Sequence, residues 1–235
     1  MKKENYLDVI YFREEYGENK YPQKLCDHII EQYFSRNGSV AGKKLLDIGS
    51  GKGNHLIGFQ RRGLKVYGID KRDECIEVLK DIDIRPCDLE KDPLPFEDNQ
   101  FDFIFTKSVL EHVYNAENFI SQTLRVLKPG GMAVMMTPDW RSQCLFFWDD
   151  YTHVKAFTKK SLANAMRING FADARCDYFL QLPFIWKHPG LQILTSLIAC
   201  LPDCLKWKDN EQSQHRPLIR FSKEKMLIAT GKKPA

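Results

Sequence analysis

The sequence lacks the features that mark several large classes of protein. It has no run of about 18 apolar residues, which argues against a transmembrane helix. Its start, MKKENYLDV, contains no apolar signal segment, so a cytoplasmic location is expected. Its net charge is only +4, from 35 basic and 31 acidic residues spread along the chain, which predicts no nucleic-acid partner.

Cysteine motifs are missing as well. The seven cysteines are scattered and no C-x-x-C pair occurs, so we expect reduced thiols. Cys200 and Cys204 stand close enough to share a helix face, but His215 is the only further metal ligand nearby. A structural zinc site needs a complete tetrahedral set of ligands, so the pattern predicts no metal at this pair.

What the sequence does contain is an alternation of strand and helix patterns. Strands are predicted at 44–48, 64–70, 82–87, 101–106 and 132–137. Helices are predicted at 23–36, up to residue 62, and at 74–80 and 115–127, with a turn at 128–131. A helix at 158–169 and strands at 174–179 and 225–230 follow. The alternation predicts an α/β fold, a doubly wound and mostly parallel sheet with helices on both faces.

A glycine-rich turn follows the first predicted strand and opens a helix. Gly49, Gly51 and Gly53 let the backbone approach a ligand and present its amides. The dinucleotide fingerprint G-x-G-x-x-G is not met, because Asn54 stands where its third glycine belongs. Asp47 precedes the turn, and a carboxylate there suits a ligand with an ammonium group better than one with a pyrophosphate.

Two further carboxylates end neighbouring predicted strands. Asp70 closes the second strand, where an acid can accept hydrogen bonds from both hydroxyls of a ribose. Asp88 follows the third strand and can accept from an exocyclic adenine amine. The set therefore indicates a ligand with a ribose, an adenine and a cationic tail.

Together these residues resemble the class I methyltransferases that use S-adenosylmethionine. The resemblance includes the strand at 101–106, the run Val109-Leu110-Glu111-His112 after it, and the turn at 128–131. It implies a Rossmann-like seven-stranded sheet with an antiparallel last strand, with S-adenosylmethionine as cofactor and S-adenosylhomocysteine as product. The cofactor-binding residues it implies are Asp47, Gly49, Ser50, Gly51, Gly53, Asp70, Lys71, Asp88, Leu89 and Lys107, the last through its backbone.

Three side chains are candidates for the chemical step. His153 follows the fifth predicted strand, near the expected acceptor entrance, and histidine titrates near neutrality as a general base must. Glu111 and His112 follow the fourth predicted strand. Similar quinone O-methyltransferases hold a metal with E-x-x-E-H, but Ser108 takes the first position here, so no metal is expected. Purely structural roles remain open. His153 can be a histidine whose hydrogen bonds are satisfied within the fold, and residues 111–112 can shape the floor of the cofactor site.

The chain is interpreted as one methyltransferase domain in four parts. These parts are an N-terminal helical lid at 1–40, a cofactor-binding core at 41–179, an apolar insertion at 180–217, and a last strand and tail at 218–235. In the lid, Tyr11, Arg13 and Tyr21 are candidates to bind the cofactor's carboxylate or the acceptor. Packing against the core is the alternative role for them.

The insertion contains an apolar stretch at 191–201 between two prolines. It is too short to span a bilayer, and its apolar positions nearly encircle a helix. We expect it to be buried, as an acceptor lid on its own domain or against a twin subunit, so the chain is a monomer or a homodimer. Peripheral membrane contact through 182–207 is the alternative, with Lys187, Lys206 and Lys208 beside Trp186 and Trp207.

The acceptor is a small molecule whose identity the sequence leaves open. The T-H-V-x-x-F-T pattern at 152–158 also resembles methyltransferases of glycan biosynthesis. We therefore expect O-methylation of a sugar or other polar acceptor in glycan or secondary metabolism. The alternatives are methylation of a quinone-like aromatic acceptor and a non-catalytic S-adenosylmethionine-binding protein, and transfer to nitrogen or carbon stays open.

Overall fold

The computed structural model describes residues 20–71, 79, 81–208 and 215–235. The helix predicted at 74–80 lies outside these residues except for position 79, and Tyr11 and Arg13 lie outside them as well. The fold and the site are described for the remaining chain.

One sheet runs through the described chain, with its strands in the order β3-β2-β1-β4-β5-β7-β6. The strands are β1 Lys44–Ile48, β2 Lys65–Asp70, β3 Asp83–Pro86, β4 Phe101–Lys107, β5 Leu127–Pro138, β6 Ala172–Phe179 and β7 Met226–Lys232. Neighbours from β3 to β5 pair in parallel, and β7 lies antiparallel between β5 and β6. The predicted seven-stranded doubly wound sheet is confirmed.

Helices of the described chain flank the sheet or lie in the connections between its strands. They are α1 Tyr21–Ile29, α2 Asn54–Arg61, α3 Ala116–Val126, α4 Trp140–Gln143, α5 Lys159–Ile168, α6 Pro183–Lys187, α7 Gln192–Ile198 and α8 Pro217–Lys223. Asn115 caps α3 by accepting from Asn118 N, and Thr158 forms a capping box with Ser161 at the start of α5. These caps explain why the sequence predicted both starts to within one residue.

The two faces of β4 show why its sequence is apolar at nearly every position. Phe101 and Ile104 belong to one buried cluster, and Phe103 and Phe105 belong to the cluster on the opposite face. A strand covered on both faces has no solvent side that could carry polar residues. This strand therefore forms the centre of the core and holds its carboxyl end in a fixed position.

The prediction of a separate turn at 128–131 is wrong. These residues lie inside β5, which runs without interruption from Leu127. The ladder to β4 shifts register between Phe101 and Phe103, and Gly130 there has a φ of 74°, a conformation that glycine adopts without strain. The glycines thus serve a bulge in a long strand.

The described domain buries the apolar stretch at 191–201 only in part, and its burial against a twin subunit stays a prediction. In α7, Ile193 is 73% exposed and Leu197 is 66% exposed, and the buried residue of this helix is Thr195. Trp186 turns inward instead: its Nε1 donates to Leu180 O at 2.8 Å, and its ring lies 4.8 Å from that of His28. Trp186 therefore anchors the insertion to the domain.

None of the described helices is both long and apolar enough to cross a membrane.

Candidate active site

The glycine loop between β1 and α2 adopts backbone conformations that other residues resist. Gly49, Gly51 and Gly53 have φ angles of 78°, 53° and 75°. A Cβ on Gly49 would lie 2.2 Å from Val109 Cγ2, whereas a Cβ on Gly51 would meet no atom within 4 Å. The first glycine thus lets two chain segments pack, and the second borders open space.

Asp47 is a carboxylate buried beneath this loop. It is 1% exposed, and no donor among the described residues reaches its Oδ2. Burial, with a smaller contribution from the nearby Asp70 carboxylate, raises the pKa of Asp47 to about 8. A cation bound beside Asp47 would stabilise the charged form of this buried carboxylate.

Asp70 lies at the end of β2, directly beside the loop. Its Oδ2 accepts a hydrogen bond from Gly51 N at 2.7 Å. Gly49 N and Ser50 N donate to Ile69 O at 2.8 and 2.9 Å, so the loop follows the end of β2 closely. The structure therefore brings together Asp70 and the loop, which the sequence separates by 19 residues.

Asp88 lies at the rim of the same edge and is already engaged. Lys71 Nζ lies 3.1 Å from its Oδ2, and Glu90 N donates to its Oδ1 at 3.1 Å. The hydrogen bond from Glu90 and the Lys71 ammonium lower the pKa of Asp88. Leu89 beside it packs on the core. Contact of Asp88 with an adenine amine stays a prediction.

Three of the four buried polar atoms without a partner among the described residues lie at the carboxyl ends of three neighbouring strands. Besides Asp47 Oδ2 near the end of β1, they include Thr106 Oγ1 near the end of β4 and Asp139 Oδ1 just after β5. Ligands of open α/β sheets bind at this edge. A ligand with several polar groups and a positive charge fits this donor and acceptor set, as S-adenosylmethionine does.

Glu111, His112 and His153 form a second cluster near this edge. One ligand atom from each residue lies within 4.8 Å of those of the other two. Glu111 is buried, and Thr137 Oγ1 donates to its Oε2 at 2.9 Å. Burial raises the pKa of Glu111 to about 7. The atoms are close enough to share a divalent ion, so the expectation of a metal-free site stays a prediction.

Asp150 and Thr152 connect the two histidines, and sequence reasoning missed both. Thr152 Oγ1 donates to Asp150 Oδ1 at 2.7 Å and lies 2.9 Å from His112 Nδ1. Asp150 Oδ2 lies 3.7 Å from His153 Nε2. The acid three residues before His153 was the available signal, but sequence spacing alone does not show which acids in D-D-Y-T-H turn inward.

The tautomer of His153 follows from its hydrogen bond. Its Nδ1 lies 2.5 Å from Phe147 O, and because a carbonyl only accepts, Nδ1 carries the proton. In the neutral imidazole Nε2 then holds the lone pair. Its ring packs on Phe147 and lies 4.8 Å from that of His112. This arrangement leaves Nε2, which lies 3.7 Å from Asp150 Oδ2, as the nitrogen that can accept a proton.

Lys107 links the two clusters electrostatically. Burial and, to a smaller extent, the Lys107 charge lower the pKa of His55, at the start of α2, to about 3. The same ammonium is among the groups that stabilise the charged form of Glu111. Lys107 therefore acts on both His55 and Glu111 through its charge, while its backbone contact with a cofactor stays a prediction.

Comparison with known proteins supports this assignment. A family profile described as a methyltransferase domain matches residues 16–175. A ubiquinone biosynthesis O-methyltransferase from Bartonella bacilliformis is 37% identical over 130 residues, which is 51% of each chain. A demethylmenaquinone methyltransferase from Tropheryma whipplei is 34% identical over 42% of this chain and 43% of its own. The matches thus span about half the length of these curated relatives.

The fold comparison extends over nearly the whole chain. The crystal structure of an S-adenosylmethionine-dependent methyltransferase from Archaeoglobus fulgidus superposes with a TM-score of 0.62 at 17% identity, covering 90% of this chain and 94% of that one. At this identity the likeness concerns the fold alone. With the family profile matching most of the sequence and the buried acid and glycine loop in place, the chain belongs to the class I S-adenosylmethionine-dependent methyltransferases.

Proposed function

We propose that the protein methylates a hydroxyl oxygen of a phenolic, quinone-type small molecule, with His153 as the general base. The observation that carries the proposal is the fixed tautomer of His153, whose Nδ1 is held by Phe147 O and whose Nε2 is left to accept a proton. S-adenosylmethionine supplies an activated methyl group. As the acceptor oxygen bonds to the methyl carbon, the carbon–sulfur bond breaks, S-adenosylhomocysteine leaves, and the hydroxyl proton moves to His153 Nε2.

An aromatic acceptor is supported by the loop that carries His153. This loop exposes large apolar side chains, namely Leu145, Trp148 and Tyr151. Such side chains offer an apolar surface on which an aromatic ring can pack. The similar relatives named as ubiquinone biosynthesis O-methyltransferases support the same acceptor class. A polar acceptor is the second candidate, and a cavity described below favours it when the acceptor carries phosphate.

The test is a turnover assay that detects S-adenosylhomocysteine with S-adenosylmethionine and either catechol or glucose. We expect turnover with catechol, and we expect His153→Ala to lower kcat by about 10²–10⁴ with cofactor affinity nearly unchanged. His188→Ala, at an exposed histidine of the insertion, is the matched control. A parallel assay with a chelator measures whether a divalent ion contributes to turnover.

Three results would contradict the proposal. Turnover with glucose alone would move the acceptor to the polar class. Loss of folding or of cofactor affinity in His153→Ala, without a separate rate effect, would make the histidine structural. Tight cofactor binding with no turnover on a wide panel of phenols and sugars would support a non-catalytic binding protein.

We further propose that the insertion docks on an anionic membrane surface that carries the acceptor. Its apolar face consists of Ile193, Leu194, Leu197 and Leu201, all exposed. The exposed lysines Lys187 and Lys208 lie in the same insertion and can contact anionic headgroups, in a segment whose four basic and three acidic residues give a net charge of +1. A lipid-soluble quinone-type acceptor would be reached from such a surface.

Co-sedimentation with vesicles of phosphatidylcholine and phosphatidylglycerol tests this docking at about 0.15 M salt. We expect Ile193→Glu/Leu197→Glu to abolish binding. Ile168→Glu is the matched control, because Ile168 is 78% exposed but lies at the end of α5, outside the insertion. Equal sedimentation of both variants would refute the proposal. So would a wild-type dimer in ultracentrifugation that the insertion variant alone disrupts, since the face would then bind a twin subunit.

A further inference from the structure

A cavity of about 530 Å³ lies at the far edge of the sheet from the glycine loop. Its walls come from α5, from the edge strand β6 and from Arg141 in α4. Three strands, β4, β5 and β7, separate β6 from β1 in the sheet. The lining includes neither the loop at 47–53 nor Glu111, His112 and His153, so neither cluster described above accounts for this cavity.

The lining of this cavity is strongly basic. It holds five cationic side chains and a single carboxylate, Asp177; the cations are Arg141, Lys159, Lys160, Arg167 and Arg175. Counted alone, the lining carries a net charge of +4 from five cations and one carboxylate.

Most of these cations are not neutralised within the described chain. Lys159 Nζ pairs with Asp177 Oδ1 at 2.7 Å, and Arg167 donates to Ala174 O at 2.8 Å. The side chains of Arg141, Lys160 and Arg175 are exposed and have neither an ion pair nor a hydrogen-bond partner among the described residues. Three positive charges facing one concave space repel each other, and an anion would relieve that repulsion.

An aromatic side chain completes one wall. The ring centre of Tyr178 lies 5.7 Å from Lys159 Nζ and 5.4 Å from Lys225 Nζ. Lys225 thus adds a sixth cation beside the cavity. A ring next to the charges also offers a surface on which a planar or sugar portion of a larger ligand could pack.

The basic cavity adjoins the loop that carries His153. Arg141 lies just before that loop and Thr158 just after it, and both line the cavity. The two ends are held together, because Trp140 N donates to Phe157 O at 2.9 Å. A ligand in the cavity would therefore contact the elements at both ends of the loop at 144–157.

We infer that the basic cavity binds a ligand of the phosphate class, with pyrophosphate as the simplest probe. Arginine presents a planar fork that matches phosphate oxygens, and the two unpaired arginines with Lys160 surround the space from different elements. The phosphate belongs either to a larger molecule, such as a nucleotide-linked sugar, or to a free ion. Binding here does not depend on the proposed methyl transfer, and it is measured without turnover.

Calorimetry on the full chain with pyrophosphate at about 0.15 M salt tests the inference. The variant Arg141→Gln/Lys160→Gln/Arg175→Gln removes the three unpaired cations, and we expect it to weaken binding at least tenfold. The control Arg36→Gln/Arg61→Gln/Lys65→Gln removes three exposed cations elsewhere and should bind as the wild type does. The free-ion source predicts that UDP-glucose binds no more tightly than pyrophosphate. The larger-ligand source predicts tighter binding of UDP-glucose, which pyrophosphate displaces, and no binding of glucose.

Two outcomes would overturn the inference. No measurable pyrophosphate binding by the wild type would show that the cavity is an ordinary basic surface. Equal weakening in the triple variant and the control would show attraction to net charge alone. Circular dichroism and thermal unfolding of both variants verify that each one folds, so that lost binding reports on the removed charges.

Discussion

The glycine loop and the insertion place their polar and apolar groups in opposite ways. At the loop, one carboxylate, Asp47, is buried with an oxygen that no described donor reaches. In the insertion, Lys206 is buried and paired with Glu224 at 2.9 Å, while leucines at 191–201 stay exposed. In each region, a group in an unfavourable environment indicates a partner that is missing from the described chain. For Asp47 this partner is a cation, and for the exposed leucines it is an apolar surface.

Besides the Trp186 anchor, polar contacts hold the part of the insertion around Lys206 to the domain, and this explains how the insertion exposes apolar residues without detaching. The Lys206 ammonium lies 3.4 Å from the ring centre of Phe146, and Lys223 Nζ donates to Ala199 O at 2.8 Å. Arg220 shares Glu224 with Lys206. Apolar burial holds the cofactor core and the start of the insertion, whereas a network of charges holds the part of the insertion around Lys206, so these regions respond to different substitutions.

The largest effect is expected from removing the centre of that network. Lys206→Ala deprives the buried Glu224 of one partner and the Phe146 ring of its cation, and should lower the free energy of unfolding by about 2–4 kcal/mol. Urea unfolding measures this, with Lys187→Ala, an exposed lysine of the insertion, as control. Cofactor affinity should stay within about twofold; a parallel loss would show that the two regions are coupled.

A substitution at Asp47, beneath the glycine loop, should instead lower cofactor affinity without destabilising the protein. Asp47→Asn removes the charge that would meet the cofactor's ammonium, and we expect S-adenosylmethionine affinity to fall about a hundredfold, as for a lost buried charge partner. The cofactor-free protein should become more stable at neutral pH, because a buried ionisable group is gone. Calorimetry and urea unfolding measure the two effects, and unchanged affinity would place the ammonium elsewhere.

The pH dependence of this gain has a definite sign. The folded pKa of Asp47, about 8, lies above its unfolded value, so the wild type loses stability as pH rises from about 4 towards 8. Asp47→Asn should therefore match the wild type near pH 4 and exceed it most above pH 8. A stability difference that does not change with pH would contradict the raised pKa.

A smaller effect is expected at Asp70, which lies at a strand end and is only half-buried. Asp70→Ala removes the carboxylate expected to meet two ribose hydroxyls and should weaken cofactor binding about ten- to hundredfold with little change in stability. Asp81→Ala, at an exposed acid just before β3, is the control. Equal affinity in the two variants would remove Asp70 from the site.

Much of the core could be predicted because its strands and helix starts depend on short stretches of sequence. The apolar run at 44–48 coincides with β1, and the caps Asn115 and Thr158 set the starts of two helices. Asp70 could be placed near the loop because parallel strands bring their carboxyl ends to one edge. The turn at 128–131 was mispredicted because a bulge and a turn use the same glycines.

The acid-base cluster could be predicted only in part. His153 and the pair at 111–112 were found from their positions after strands, but Asp150 and Thr152 carry no periodic signal. Thr152 meets His112 only because the chain folds back: Val154 N and Lys155 N donate to Glu111 O at 2.8 and 3.0 Å. Contacts across 40 residues depend on that backbone path, which residue types do not encode.

The sequence by itself determined the sheet, the glycine loop and the cofactor class, since strand periodicity, positive φ angles and carboxylates at strand ends are properties of short segments. Only the tertiary structure decided which nitrogen of His153 is available, that five cations share one cavity, and that the insertion turns its leucines outward. These depend on which side chains meet across the fold, and the same apolar pattern serves a buried helix and an exposed one equally well.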